Sequence, residues 1–209
     1  MAKIVIKRGD RSEAVKLIQD RLGVSSDGIF GAETEQHLQQ WQRTHGLPAD
    51  GVFGAMTMQR MLGFTLEKSA RTITEIIVHC TATPEGKDFT VSDIRRWHQA
   101  QGWPDVGYHY VVYRDGTIHD GRSVHLRGIH CSGHNSYSVG VVYIGGVMTD
   151  GKTPKDTRTL AQKAALVILL AFLRHLYPKA RIYGHRDFAN KACPSFDARR
   201  EYYKISSTH

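Results

Sequence analysis

The sequence predicts an α/β fold, in which a domain with a central mixed sheet flanked by helices is preceded by a small three-helix module. Three observations predict it. Asp27-Gly28-Ile29-Phe30-Gly31-Ala32 recurs as Asp50-Gly51-Val52-Phe53-Gly54-Ala55, each copy followed by a helical pattern, which marks a repeated turn-and-helix unit. Beyond residue 71 the patterning changes to short β-branched runs that alternate with helical periods, as a sheet-centred domain requires. A length of 209 residues is long for one compact unit and short for two large ones, which suits a small module joined to a medium-sized domain.

In the module, Ala14, Val15, Ile18 and Leu22 share one helical face that stops at Gly23. Thr34, Leu38 and Trp41 do the same up to Gly46, and Met58, Met61 and Leu62 end a third helix at Gly63. These place a three-helix module at residues 1–63. Residues 64–71 are polar and unpatterned and read as a linker, leaving 72–209 as the second domain. There, residues 75–80 read as a strand, 89–101 as a helix ending at Gly102, and 108–113 as a strand. Arg114-Asp115-Gly116 forms a hairpin turn into residues 117–119. Residues 139–144 read as a strand, 157–177 as a long helix, and 181–184 as a short strand delivering His185 into a loop.

The net charge of +8 points to an anionic partner, such as nucleic acid, an acidic membrane face or an acidic wall polymer. Lys and Arg are scattered over both halves without the aromatic interleaving of a single-strand groove, so no nucleic-acid partner is expected. The amino terminus lacks the apolar core of a secretory signal, so synthesis in the cytoplasm without a signal peptide is expected. The longest apolar run, residues 164–173, is about half of a membrane span and reads as a buried helix, so no membrane insertion is expected. Cys80, Cys131 and Cys193 are neither even in number nor closely paired, which argues against a disulfide framework.

Among twelve histidines, metal binding has to be argued by position. His79 closes a β-branched strand, with its side chain on the face of Ile77 and opposite Val78 and Cys80, so Cys80 cannot join it on one metal. His185 leaves a strand, and Cys193 follows on a segment suited to a loop that folds back. Two imidazoles and one thiolate would give zinc three protein ligands and leave a fourth position for water, the pattern of a catalytic site. Spacing alone makes this weak, because His and Cys also serve as satisfied buried residues.

Motifs strengthen it. The first segment, with two "DGxFG…T" strings separated by a helix and "GL", resembles the peptidoglycan-binding module of wall hydrolases. The strings "IIVHCTAT", "GWPDVGYHYVVYRDGTIHDGR", "HCSGHNSYSVGVVYIGG" and "GHRDFANKACPSFD" follow in order. Together they resemble the type 2 N-acetylmuramoyl-L-alanine amidases, especially the short enzymes of phage lysis, over about residues 72–199. The resemblance implies Zn²⁺ held by His79, His185 and Cys193, with Tyr108 and Lys191 at positions the family uses in catalysis. Tyr108 and His109, adjacent on a strand, face opposite ways, so only one can reach the metal water; the resemblance selects Tyr108. No His-Glu-x-x-His string supplies a carboxylate base, so the proton work stays undivided between Tyr108 and Lys191. His130, His134 and Asn135 lie in a Gly-rich stretch that the resemblance places near the substrate cleft and that reads equally well, from its residues, as a polar turn.

The resemblance therefore implies an endolysin that cleaves the amide between N-acetylmuramic acid and L-alanine. Its expected partner is bacterial peptidoglycan, its expected state a monomer, and its expected route to the wall a membrane lesion made by another protein. Two alternatives stand beside it. A non-catalytic peptidoglycan-recognition protein on the same scaffold would typically lack the ligand cysteine. An added role in inhibiting an RNA polymerase, known for some phage lysozymes of this family, leaves no mark in the residues. A glycosidase would need two suitably placed carboxylates, whereas these motifs gather His, Cys, Lys and Tyr.

Overall fold

In the computed structural model, which describes residues 5–207, a five-stranded sheet forms the centre of the larger domain. Strand β1 (Glu75–Cys80) lies between β5 (Ser138–Tyr143) and β7 (Arg181–Gly184), parallel to both. Strand β3 (Tyr110–Val112) extends the sheet parallel to β5, and β4 (Ile118–Asp120) closes that edge antiparallel to β3. The sheet is therefore mixed, in the order β4-β3-β5-β1-β7. Thr83–Pro84 (β2) and Gly146–Val147 (β6) pair separately.

The faces of the central strands are covered on both sides, as a mostly parallel sheet requires. Helix α5 (Leu160–Leu176) packs on one face, where Ile76, Val78, Val141 and Tyr143 meet Leu166, Leu169, Leu170 and Leu173 in one core. Thr159 caps α5, its hydroxyl accepting from the Gln162 amide while Gln162 returns a bond to the Thr159 N–H. On the opposite face, helix α4 (Val91–Ala100) packs Ile94 against Val111, Val142 and Ile144. Thr90 and Asp93 form the same kind of capping box, so α4 starts two residues later than the periodicity predicts. Two short helices, α6 (Ala198–Glu201) and α7 (Tyr203–Ser207), follow β7 and were not anticipated.

The amino-terminal part contains α1 (Glu13–Leu22), α2 (Ala32–Thr44) and α3 (Ala55–Leu62). Its two-fold repeat is built around two buried glutamines. Gln19 Nε2 donates to Asp27 Oδ1, Ile29 O and Thr34 Oγ1 at 2.8, 3.1 and 3.1 Å, while its Oε1 accepts from Gly28 N at 2.8 Å. Gln42 repeats the set on Asp50 Oδ1, Val52 O, Thr57 Oγ1 and Gly51 N at 2.9, 3.0, 3.1 and 3.0 Å. Gly28 and Gly51 hold φ of 77° and 69°, the left-handed turn that lets each amide face its glutamine. The beginning assigned to this module at residues 1–4 lies outside the described residues.

The module sits on the larger domain. Its Val15, Ile18 and Leu62 belong to the same apolar core as α5, and Arg21 donates to the Asp115 carbonyl at 2.6 Å. The segment 64–71 is pinned along its length. The Thr65 amide donates to the Asp120 carboxylate, and Ser69 N to Tyr177 Oη at 2.7 Å. Arg71 donates to the carbonyls of Val124, Asn135, Ser136 and Ser138.

Candidate active site

The site forms where β1 and β7 end side by side. Their parallel register sets Val78 beside Gly184, so the next residues, His79 and His185, emerge together with ring centroids 4.7 Å apart. A 3-10 turn at His185–Asp187 then redirects the chain, fixed by Asp187 Oδ2, which accepts from Gly184 N at 2.8 Å. The loop returns as Arg186 N donates to Cys193 O at 2.7 Å, carrying the Cys193 sulfur to the mouth of β1. There the Cys80 N–H donates to Cys193 Sγ at 3.3 Å, and Cys193 Sγ lies 3.8 Å from His79 Nδ1. Tyr143 holds the following Pro194 carbonyl at 2.7 Å, tying the loop to β5.

One ligand atom from each of His79, His185 and Cys193 lies within 4.8 Å of the others. Tetrahedral zinc with Zn–N near 2.0 Å and Zn–S near 2.3 Å sets N and S roughly 3.5 Å apart, close to the His79–Cys193 separation of 3.8 Å. Protonation suits such an ion too. His79 is fully buried, and desolvation, reinforced by His130, His185 and Lys191, holds its imidazole neutral with a lone pair to offer. His185 is lowered by the same causes, burial first and Lys191 second. Contact with the Cys80 thiol and burial push the Cys193 thiol up, so its thiolate needs an adjacent cation. The donors present therefore fit zinc.

Around this point the other predicted residues divide. Tyr108, half-buried, lies with its ring 5.1 Å from that of His79 and 5.5 Å from that of His98. Burial, then the nearby thiols of Cys193 and Cys80, push its phenol up, so Tyr108 keeps its proton and is an O–H donor. Lys191 is exposed, two residues before Cys193, and its charge is felt at His79 and His185. His109 stays out of the donor cluster, accepting from Gly140 N at 2.9 Å and contacting Arg71 at 3.2 Å, with its ring against that of His130. Strand β3 begins only at Tyr110, two residues later than the pattern predicts, because the chain bends at His109, whose N–H nonetheless bonds Gly140 O.

His98, given no role from the sequence, and His130, read there as either cleft wall or polar turn, both stand next to the cluster. His98 accepts from Gly107 N at 3.0 Å and packs on Trp103 and Tyr108, backing the tyrosine. His130 touches His79 directly, with His79 Nε2 and His130 Nδ1 3.0 Å apart. The one local sign of its burial is the pair of glycines, Gly128 and Gly140, that flank its ring.

Comparison with known proteins accords with this geometry. Residues 69–196 match the family described as N-acetylmuramoyl-L-alanine amidase, and residues 11–61 match a peptidoglycan binding domain. An endolysin of Enterobacteria phage K11 is 48% identical over 127 residues, covering 61% of this chain and 83% of that protein. An endolysin of Klebsiella phage KP32 is 45% identical over 139 residues, covering 65% of this chain and 91% of its own. Among solved structures, the N-acetylmuramoyl-L-alanine amidase LysC from Clostridium intestinale URNW aligns with a TM-score of 0.55 at 24% identity, over 69% of this chain and 97% of that one, which shows a common fold. With a family match spanning the sheet, the His79 strand end and the loop of His185 and Cys193, the chain belongs to the N-acetylmuramoyl-L-alanine amidase family.

Proposed function

We propose that this protein is a zinc-dependent endolysin that hydrolyses the amide between N-acetylmuramic acid and L-alanine in peptidoglycan. The observation that carries the reading is the convergence of His79, His185 and Cys193 beside Tyr108 in a chain of this family. When bound, zinc supplies Lewis acidity toward the amide oxygen and brings the pKa of water to about 7. His79 through Nδ1, His185 and the Cys193 thiolate would hold it. The Cys80 N–H, donating to the Cys193 sulfur, stabilises the thiolate form.

Tyr108, with its proton retained, orients the attacking water or donates toward the carbonyl as charge builds there. Lys191 donates a charge-assisted hydrogen bond to the developing oxyanion. The proton lost by the attacking water ends on the leaving amine, relayed through Tyr108 or Lys191. Cys193 within the cluster favours hydrolysis over recognition alone.

Residues 1–63 form the wall-binding module, 64–71 the connection and 72–209 the catalytic domain in this reading. The net charge of +8 assists adsorption to the anionic wall. Among the described residues no helix is long and apolar enough to cross a membrane. In this reading the protein acts on the wall as a monomer, after another protein has opened the membrane.

Digestion of purified peptidoglycan tests the reaction. Release of peptides with new amino-terminal alanine and no new sugar reducing ends is expected. New reducing ends without free alanine would overturn the assignment.

A further inference from the structure

The ring of His130 is clamped in a slot that the sequence builds at some cost. A Cβ on Gly128 would lie 2.3 Å from His130 Cδ2, and one on Gly140 would lie 2.6 Å from the same atom. Neither glycine has a positive φ, so the ring, and not the backbone conformation, is what excludes a side chain there. The loop is held from the other side as well. Asn135 Oδ1 accepts from His130 N at 2.9 Å and from Cys131 N at 3.0 Å. A buried imidazole seated this tightly has fixed partners: Nδ1 meets His79 Nε2 at 3.0 Å, and Nε2 meets Ser138 Oγ at 3.3 Å.

These contacts determine where the protons lie. One proton lies between two facing ring nitrogens, since two bare nitrogens repel and two N–H groups clash. His79 Nδ1 points to Cys193 Sγ, on the side where the three candidate ligands converge, so that nitrogen must be bare to act as a ligand. The proton of neutral His79 is then on Nε2, donated to His130 Nδ1, and His130 carries its own on Nε2, donated to Ser138. We propose that His130 is a positioning residue for the metal: as acceptor for His79 Nε2–H, it fixes the tautomer and ring plane that aim His79 Nδ1 at the ion, with Ser138 anchoring the far end. The inference rests on the reading of His79, His185 and Cys193 as zinc ligands.

His130→Phe keeps a flat ring in the glycine slot and removes the acceptor, leaving His79 Nε2–H buried and unpaired. His130→Asn keeps an acceptor near the position of Nδ1. Zinc affinity, measured by chelator competition on the full chain, is expected to fall about 10–100-fold in H130F and to recover most of that loss in H130N. The ligand-field absorption of the Co²⁺-substituted protein should shift in H130F and return in H130N. Imidazole ¹⁵N NMR on the wild-type chain, which depends on no variant folding, should find both His79 and His130 protonated at Nε2.

Three outcomes would overturn the proposal: unchanged zinc affinity in folded H130F, equal losses in H130F and H130N, or His79 protonated at Nδ1. Failure of the wild-type chain to bind zinc at all would instead remove the underlying metal reading.

Discussion

Cys193 Sγ lies 3.8 Å from His79 Nδ1, although 114 positions separate the two residues in the chain. Nothing local joins them. The approach depends on the parallel pairing of β1 with β7 and on the turn at His185–Asp187 that sends the following loop back over the end of β1. If this contact is one edge of a zinc site, the purified protein carries about one zinc per chain. Cys193→Ala and His185→Ala should each reduce bound zinc and lysis to background while leaving the far-ultraviolet circular dichroism unchanged. Full zinc occupancy in either variant, measured by atomic absorption, would refute the ligand assignment.

Tyr108 and Lys191 should separate from the ligands in a different measurement. Lys191→Met and Tyr108→Phe each remove a donor to the reacting amide without touching the donor cluster, so zinc content should stay at the wild-type level. The rate of peptidoglycan hydrolysis under saturating substrate should fall about 10²- to 10³-fold. A rise in KM at constant kcat for Lys191→Met would show that the ammonium anchors substrate and does not stabilise charge in the transition state.

His109 makes stability depend on pH. Burial, with Arg71 and Arg122 nearby, lowers its pKa from 6.5 to about 4 despite the bond to the Leu126 carbonyl. Above pH 6.5 the folded and unfolded chains both hold it neutral, and its contribution is fully present. As pH falls from 6.5 towards 4, the unfolded chain takes up a proton that the folded chain refuses, and stability falls by about 3 kcal/mol in total. Urea denaturation across this window should show the decline, and His109→Gln should flatten it. An equal slope in the variant would assign the effect to other buried histidines.

Gln42→Leu should cost about 2–4 kcal/mol, because Gly51 N–H loses its acceptor and Asp50, Val52 O and Thr57 each lose a buried donor. Since Val15, Ile18 and Leu62 share one core with α5, module and larger domain should unfold together, in one calorimetric endotherm that moves down in the variant. Two resolved endotherms in the wild-type chain would show that the shared core does not couple them.

The sequence by itself determined where the local elements lie, and in two places to the residue. Strands β1 and β7 span residues 75–80 and 181–184 as the β-branched runs indicate, because alternation and chain punctuation are local properties. It also exposed the Asp-Gly echo, since a repeat is visible without coordinates. The motif strings singled out His79, Tyr108, His185, Lys191 and Cys193 through resemblance, while spacing alone left them weak candidates.

Tertiary structure decided everything that depends on distant partners. Gln19 and Gln42 look like ordinary polar positions on amphipathic helices, yet they are almost fully buried, because each turn supplies donors and acceptors matched to one amide. Arg71, read from composition as part of a polar linker, is held by carbonyls more than fifty positions away. His130 is set apart by a slot between Gly128 and Gly140 and by its contact with His79 at the end of β1, neither of which periodicity reports. Periodicity reports which face of an element is apolar; it carries no information on which remote group meets a polar atom on that face, and the chemistry at the end of β1 is composed of such meetings.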